Sequence, residues 1–470
     1  MNKKPKVLLL NLPENVDNPS HYYHLLSPYG LSLISSFLKQ QGCDVTLLDA
    51  AGHHMKRDEI IEYVKQLNPA ILGMTLITNH VSQTIPFLRD VKKALPALTT
   101  VVGGPHPSAE YRSLLQRHAE VDIAVIGEGE HTLLEIIGNL ERGESLENVK
   151  GVSYRDSGAI RVNPPREMIT DLDSMPFADW ESLPIDQYWY SWSVKKNYAG
   201  LSVSRGCPYA CTFCAYYATL GRKFRMRTPR SVIEEVKLLY DKFGVRNLYF
   251  TDSTLNVSNE WVREICEGLL ALKRPLVWGC HVRADRLDRE TIKLMKKAGC
   301  DRMFIGVESA DNDVLRLMKK GETIEKIEEG IMKLHENGFY PDMGFILGMP
   351  GDTDASIMKT IDFAKRFKRN LVVFTLAAPF PGTELFKLAQ DQGLKVEDWS
   401  KADLYSLAYV PEGLTREKIE HYYRLAIKTV YLRPSFIYHQ LLRVRSWLDF
   451  KLKVRLAAQI FGIRLKTFKR

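Results

Sequence analysis

Three cysteines, Cys207, Cys211 and Cys214, lie within the stretch RGCPYACTFCAYY (205–217) and make up three of the seven cysteines in this 470-residue chain. The spacing, Cys-x3-Cys-x2-Cys, lets three thiolates on one loop bind a metal or a cluster. A structural zinc ion wants four ligands in two pairs, and no second pair exists. Cys43, Cys266, Cys280 and Cys300 stand apart from one another and read as small buried hydrophobes. A [4Fe–4S] cluster also normally takes four cysteines. Three leave one iron without a protein ligand, and an open iron is what a reactive cluster offers a substrate.

A loop of this kind needs rigid elements to hold it. From residue 199 onward, strands at 199–204, 246–251, 276–282, 301–307, 342–347 and 371–377 alternate with helices at 229–242, 258–271, 288–298, 323–337, 353–367 and 383–391. Six such units suit a partial (β/α)6 barrel of TIM type, with functional residues at the carboxyl ends of the strands. The cysteine loop follows the first of them. Upstream, the short apolar runs KVLLLNLP (6–13), DVTLLDA (44–50), AILGMTL (70–76), TTVVGGP (99–105) and VDIAVIGEGE (121–130) alternate with helical periods. Such runs predict a parallel sheet covered on both faces. Five strands fit a doubly wound, flavodoxin-like domain that binds ligands beyond the strands' carboxyl ends. The expected organisation is α/β throughout: a flavodoxin-like domain (1–142), a linker with a hairpin turning at Asp156-Ser157-Gly158 (143–198), the partial barrel (199–394) and a helical C-terminal region (395–470).

Cys-x3-Cys-x-aromatic-Cys after the first strand of such a barrel resembles the radical S-adenosylmethionine superfamily. The resemblance implies that Cys207, Cys211 and Cys214 hold a [4Fe–4S] cluster whose open iron chelates the amino and carboxylate groups of S-adenosylmethionine. An electron from a flavodoxin- or ferredoxin-type donor then cleaves that molecule to a 5′-deoxyadenosyl radical, which abstracts hydrogen. Phe213 falls at the aromatic position expected near the adenine. RMFIGVESA (302–310) resembles the fourth-strand segment that meets S-adenosylmethionine, here through Glu308 and Ser309. MGFILGMPGDT (343–353) resembles the fifth-strand glycine motif near the adenine, here Gly348 and Pro350. Arg283, after the third strand, is placed to pair with the methionine carboxylate.

A doubly wound domain before a radical barrel resembles the cobalamin-dependent members, which place a corrinoid between the two domains. VVGGPHPS (101–108) and VIGEGEHTLLEII (125–137) resemble that group's fourth- and fifth-strand ends. Gly103 and Gly104 let the backbone approach a large flat ligand, and Gly127 and Gly129 open a loop at a helix start. Glu128 and Glu130 either hydrogen-bond the ligand or favour the helix N-terminus. Thr75, Leu76, Ile77 and Thr78 either face the cobalt or form an apolar loop. The D-x-H-x-x-G string that supplies a cobalt-ligating histidine in classical cobalamin domains is absent from this sequence.

For function, the resemblance implies methyl transfer to an unactivated carbon or phosphorus of a small molecule. A radical cyclase of the anaerobic tetrapyrrole type is the enzymatic alternative, suggested by YLRPSF (431–436) and the basic C-terminus. From another class comes an RNA-binding iron–sulfur protein. Radical methylthiotransferases acting on RNA carry a further cysteine trio upstream, whereas here Cys43 is alone before Cys207, which argues against nucleic acid. The net charge of +9 resides in residues 433–470, with ten Lys/Arg and the single acid Asp449, so the body is neutral and the tail basic. Phe436, Ile437, Leu441, Val444 and Trp447 interleave with those charges. That pattern suits peripheral contact with an anionic membrane surface. The N-terminus lacks the features of a signal peptide, and the long uncharged stretch 67–88 is too polar to span a bilayer. The expected location is the cytoplasm.

Overall fold

The computed structural model describes residues 4–14, 24–190, 193, 197–393, 404–442, 444, 446, 447, 449–451, 453 and 454. The first domain alternates β1 (Lys6–Asn11), α1 (Tyr29–Gln40), β2 (Asp44–Asp49), α2 (Arg57–Leu67), β3 (Ile71–Thr75), α3 (Val81–Ala94), β4 (Thr99–Gly103), α4 (Pro105–Arg117), β5 (Ile123–Val125) and α5 (Glu130–Arg142). The strands lie parallel in the order β2-β1-β3-β4-β5. Along β1, Val7 and Leu9 enter one apolar cluster while Leu8 and Leu10 enter another. Both faces of the sheet are therefore buried, which is why its strands read as unbroken apolar runs.

The hairpin expected inside a linker belongs to this sheet instead. β6 (Val152–Asp156) pairs antiparallel with β5, and β7 (Ala159–Val162) pairs with β6. The turn has positive φ at Ser157 (49°) and Gly158 (86°), the left-handed pair that a two-residue hairpin requires. The physical reason is the short β5, which would otherwise leave an unpaired sheet edge. The segment between this hairpin and the barrel is pinned to both domains. The Trp180 Nε1 donates to Glu235 of the barrel (2.9 Å), and the Tyr188 hydroxyl donates to Asp49 of the first domain (2.5 Å).

The second domain runs β8 (Tyr198–Leu201), β9 (Ser204–Arg205), α6 (Tyr216–Leu220), β10 (Arg225–Met226), α7 (Pro229–Phe243), β11 (Asn247–Phe250), α8 (Asn259–Ala271), β12 (Val277–Val282), α9 (Arg289–Lys297), β13 (Cys300–Glu308), α10 (Asn312–Leu317), α11 (Ile324–Glu336), β14 (Asp342–Leu347), α12 (Asp354–Arg366), β15 (Val372–Leu376) and α13 (Glu384–Asp391). Six strands form a parallel sheet in the order β8-β11-β12-β13-β14-β15, the open partial barrel expected. Inside it, glycine on one strand makes room for a ring on the next. A Cβ at Gly279 would stand 2.9 Å from the Tyr249 ring, and one at Gly344 would stand 2.7 Å from Phe304. Thr228, Ser258, Asp288, Thr323, Thr353 and Thr383 each cap a helix by accepting the amide three residues on. These caps fix the loops at the carboxyl ends of the strands.

The C-terminal region contributes α14 (Arg416–Tyr431) and α15 (Pro434–Leu442). α14 seals the far side of the barrel. Lys418 and Tyr422 both reach Asp354 on α12, and the Tyr431 hydroxyl donates to the Val372 carbonyl on β15. Among the described residues no helix is long and apolar enough to cross a membrane. Residues 455–470 of the basic tail lie outside the described residues.

Candidate functional site

The cysteine loop starts where β9 ends. Gly206 turns it with φ 83°, and a side chain there would run into the Lys223 carbonyl. The loop is tied to the rim of the barrel. Cys207 N–H donates to Gly221 (3.2 Å), Thr212 N–H to Met318 (3.0 Å), and Leu385 N–H to Thr212 (2.9 Å). A tight turn, Cys214 N–H to the Cys211 carbonyl (3.3 Å), brings the last two thiols together. Cys207, Cys211 and Cys214 are half-buried and free of disulfides. Among the described residues no three His, Cys, Asp or Glu side chains converge on a single ion. The donor set suits a cluster, in which each sulfur binds a different iron. Burial pushes the Cys211 thiol up to about 11, with Lys320 opposing and Glu308 reinforcing; burial also raises Cys214. Thiolates are what ligate iron, so assembly of a cluster must displace these protons. Phe213 is half-buried against the core.

Below the loop lies a knot of buried charge at the ends of β12 and β13. Glu308 has φ 66°, at a shift in the β13–β14 register. A left-handed glutamate is uncommon and concentrates where function demands a particular side-chain direction. Its carboxylate meets Lys320 Nζ (3.3 Å), which also faces Glu322 (3.6 Å). Lys320 was not anticipated from the sequence, because a lysine in a Lys-Gly turn ordinarily reads as solvated. Here it is 8% exposed and is the strongest opposite-charge influence on Cys211. Arg283, expected to bind the methionine carboxylate, is engaged by protein. It pairs with Asp285 (3.2 Å) and Glu322 (3.2 Å) and donates to the Lys320 carbonyl (3.0 Å). Its guanidinium stacks 3.8 Å from the centroid of Tyr209, a residue of the cysteine loop. Arg283 thus props the loop from beneath.

Two expected positions are turned into the fold. Ser309 is 1% exposed, and its hydroxyl is shared between Thr360 (3.3 Å) and the Asp311 amide (3.1 Å). Gly348 has φ 84°, and its amide, with that of Met349, is held by Asp352 (2.9 and 3.0 Å). Pro350 follows, half-buried, in the same turn.

The first domain presents a cleft at the carboxyl ends of β1, β3, β4 and β5. Thr75, Gly103, Gly104, Gly127 and Gly129 form one wall, and Tyr216, Thr219 and Leu220 of α6, just beyond the cysteines, form the other. The glycines fit a broad flat ligand. Gly104 (φ 98°) and Gly127 (φ 83°) hold conformations that favour glycine, and a Cβ at Gly104 would come within 3.0 Å of Thr75. The segment 75–78 splits. Thr75 and Ile77 are exposed at this edge, whereas Leu76 is fully buried and Thr78 is buried beside His106 Nδ1 (3.3 Å). Among the described residues, no histidine lines the cleft.

Glu128 and Glu130 line the cleft, but their carboxylates turn to the barrel. Arg205 binds Glu128 (2.8 Å) and Glu130 (2.6 Å), and Arg225 binds Glu128 (2.9 Å). Neither arginine stands out in the sequence, although Arg205 lies two residues before the first cysteine.

Residues 201–364 match the radical SAM superfamily, and residues 20–137 match the B12 binding domain. An uncharacterized methyltransferase of Pyrococcus horikoshii is 28% identical over 411 residues, covering 87% of this chain and 89% of that one. The anaerobic magnesium-protoporphyrin IX monomethyl ester cyclase of Rubrivivax gelatinosus is 27% identical over 423 residues, covering 87% of this chain and 75% of that one. Among solved structures, the radical S-adenosylmethionine methyltransferase TsrM from Kitasatospora setae, with cobalamin and a [4Fe-4S] cluster bound, superposes with a TM-score of 0.71 at 17% identity, covering 97% of this chain and all of that one. The chain therefore couples a B12 binding domain to a radical SAM domain, the arrangement of the cobalamin-dependent radical S-adenosylmethionine enzymes, whose cofactors are cobalamin, a [4Fe–4S] cluster and S-adenosylmethionine.

Proposed function

We propose that this enzyme transfers a methyl group to an unactivated centre of a small molecule. One observation carries the reading: the cleft takes one wall from the B12 binding domain and the other from the helix that continues the cysteine loop. Both cofactors then look onto one space. When bound, cobalamin supplies a methyl carrier, and S-adenosylmethionine on the cluster supplies a hydrogen-abstracting radical. The protein's part is binding and exclusion. Glu308 and Lys320, 3.3 Å apart, offer opposite charges to the ammonium and carboxylate of a methionine moiety. The glycines of β4 and the β5–α5 turn keep side chains out of the corrinoid's plane. Tyr216 and Leu220 shield the cleft from water.

The names of the Pyrococcus relative and of TsrM favour methyl transfer. The Rubrivivax relative favours ring formation. Anaerobic incubation of the cobalamin- and cluster-loaded protein with S-adenosylmethionine and a strong reductant separates the two. Release of S-adenosylhomocysteine beside 5′-deoxyadenosine supports methyl transfer, and 5′-deoxyadenosine alone supports the cyclase reading. In the cell the electron would come from a flavodoxin- or ferredoxin-type donor.

The C-terminus supports a lipophilic substrate. Ile437, Tyr438, Leu441 and Leu442 of α15 are exposed, and so is Trp447. With the basic excess of residues 433–470, this face suits an anionic bilayer surface. The full chain should sediment with phosphatidylglycerol vesicles, stay free of phosphatidylcholine vesicles, and detach in salt. Unchanged sedimentation of a Leu441→Asp, Leu442→Asp variant would remove α15 from the contact.

A further inference from the structure

We propose that Glu128 and Glu130 are positioning residues that hold the cysteine loop in register with the corrinoid cleft; this rests on the two cofactor sites proposed for the enzyme. Residues 206–224 leave the body on β9 and return on β10, and Arg205 lies directly opposite Arg225 across that two-stranded stem. Two guanidinium groups side by side repel. Here Glu128 takes both, at 2.8 Å and 2.9 Å, and Glu130 takes Arg205 a second time at 2.6 Å. Two cations meet two anions, and all four side chains are at most 12% exposed. Arg225 further donates to the carbonyls of Ile169 (2.5 Å) and Leu220 (2.7 Å), and the Ile169 amide donates to Glu128 (2.7 Å).

Such a network cannot release one partner without stranding a buried charge, so it behaves as a stiff joint. Its placement gives it a purpose. The glutamates come from the β5–α5 turn, whose glycines line one wall of the cleft. The arginines come from the stem of the loop whose helix α6 lines the other. The two cofactor sites share this joint, so their separation is set by four ion-paired side chains rather than by the pliancy of the loop.

The test uses the full chain with cobalamin and cluster loaded and both reduced to paramagnetic states. Pulsed dipolar resonance between cobalt and cluster should give one narrow distance in the wild type. In Glu130→Gln and Arg205→Lys it should broaden while iron and cobalamin contents stay stoichiometric, which mere loss of stability would not produce. A distribution as narrow as wild type in both variants overturns the proposal. Where a variant fails to load, amide exchange of residues 206–224 in the cofactor-free chain decides, with roughly tenfold faster exchange expected and unchanged exchange overturning it. If the wild type binds no cobalamin, the corrinoid reading falls, and the exchange comparison still judges the joint.

Discussion

The two sheets face each other with unlike edges. The edge of the first domain is glycine-lined and apolar, and its two glutamates are neutralised by arginines from across the interface. The barrel's edge concentrates Arg283, Asp285, Glu308, Lys320 and Glu322 under the cysteines. The same residue type, glutamate at a strand end, therefore has two fates. At Glu128 and Glu130 it joins domains. At Glu308 it is held in a strained conformation beside the thiols. The difference lies in the partners: arginines from the other domain take Glu128 and Glu130, whereas Glu308 meets Lys320, which Glu322 shares.

The comparison can be broken most severely at the thiols. Cys211→Ala should abolish both the cluster chromophore and 5′-deoxyadenosine formation, while Cys43→Ala and Cys266→Ala keep both. Full activity in Cys211→Ala would leave the charged edge without its purpose. Next comes Lys320→Met, which leaves Glu322 its pair with Arg283 but strands Glu308 in a buried site, and should cost about 3–5 kcal/mol of stability, read from denaturant midpoints. The reconstituted variant should also bind S-adenosylmethionine more weakly.

A pH titration sharpens the barrel side. Asp252 is fully buried, and burial pushes its carboxyl up to about 6 against the hydrogen bonds from Val203 and Ser204. A raised folded-state value means that stability is fully present below about pH 4 and is lost as pH rises through 6, on the order of 3 kcal/mol from this group. Asp252→Asn should lack that slope in unfolding experiments between pH 4 and 7. On the apolar side, Gly103→Leu should weaken cobalamin binding by about 10–100-fold through overpacking while cluster loading is unchanged. Equal loss of both cofactors would show that the two edges are not separable in this way. The smallest effect belongs to Gly348→Ala. The left-handed backbone there and Ile419 at 3.4 Å predict a loss of about 1–2 kcal/mol, visible as a lower thermal midpoint.

Much of this was legible in the chain. The strands and helices announced themselves because burial on both sheet faces leaves continuous apolar runs, and because helical periods alternate with those runs. The cysteine trio stands out because its signal is local, three thiols on one short loop. What escaped was pairing at a distance. Arg205 meets Glu128 across 77 residues of sequence, and no periodicity records which cation will find which anion. The hairpin at 152–162 escaped for the same reason: its turn was plain, but its sheet partner β5 lies on the far side of α5. Arg283 stands at the expected strand end, and its pairs with Asp285 and Glu322 were likewise absent from any local pattern.

The closure of the barrel by α14 also bears on how the molecule is made. The first sheet receives its last strand at Val162, so it can condense while later residues are still being synthesised. The barrel has no such freedom. β15 and the Gly348 turn lack their cover until Ile419 and Tyr431 emerge. A ribosome-bound chain therefore passes through a stage with a finished first domain and an open second one. During that stage the exposed β15 edge is the surface that a chaperone would need to guard.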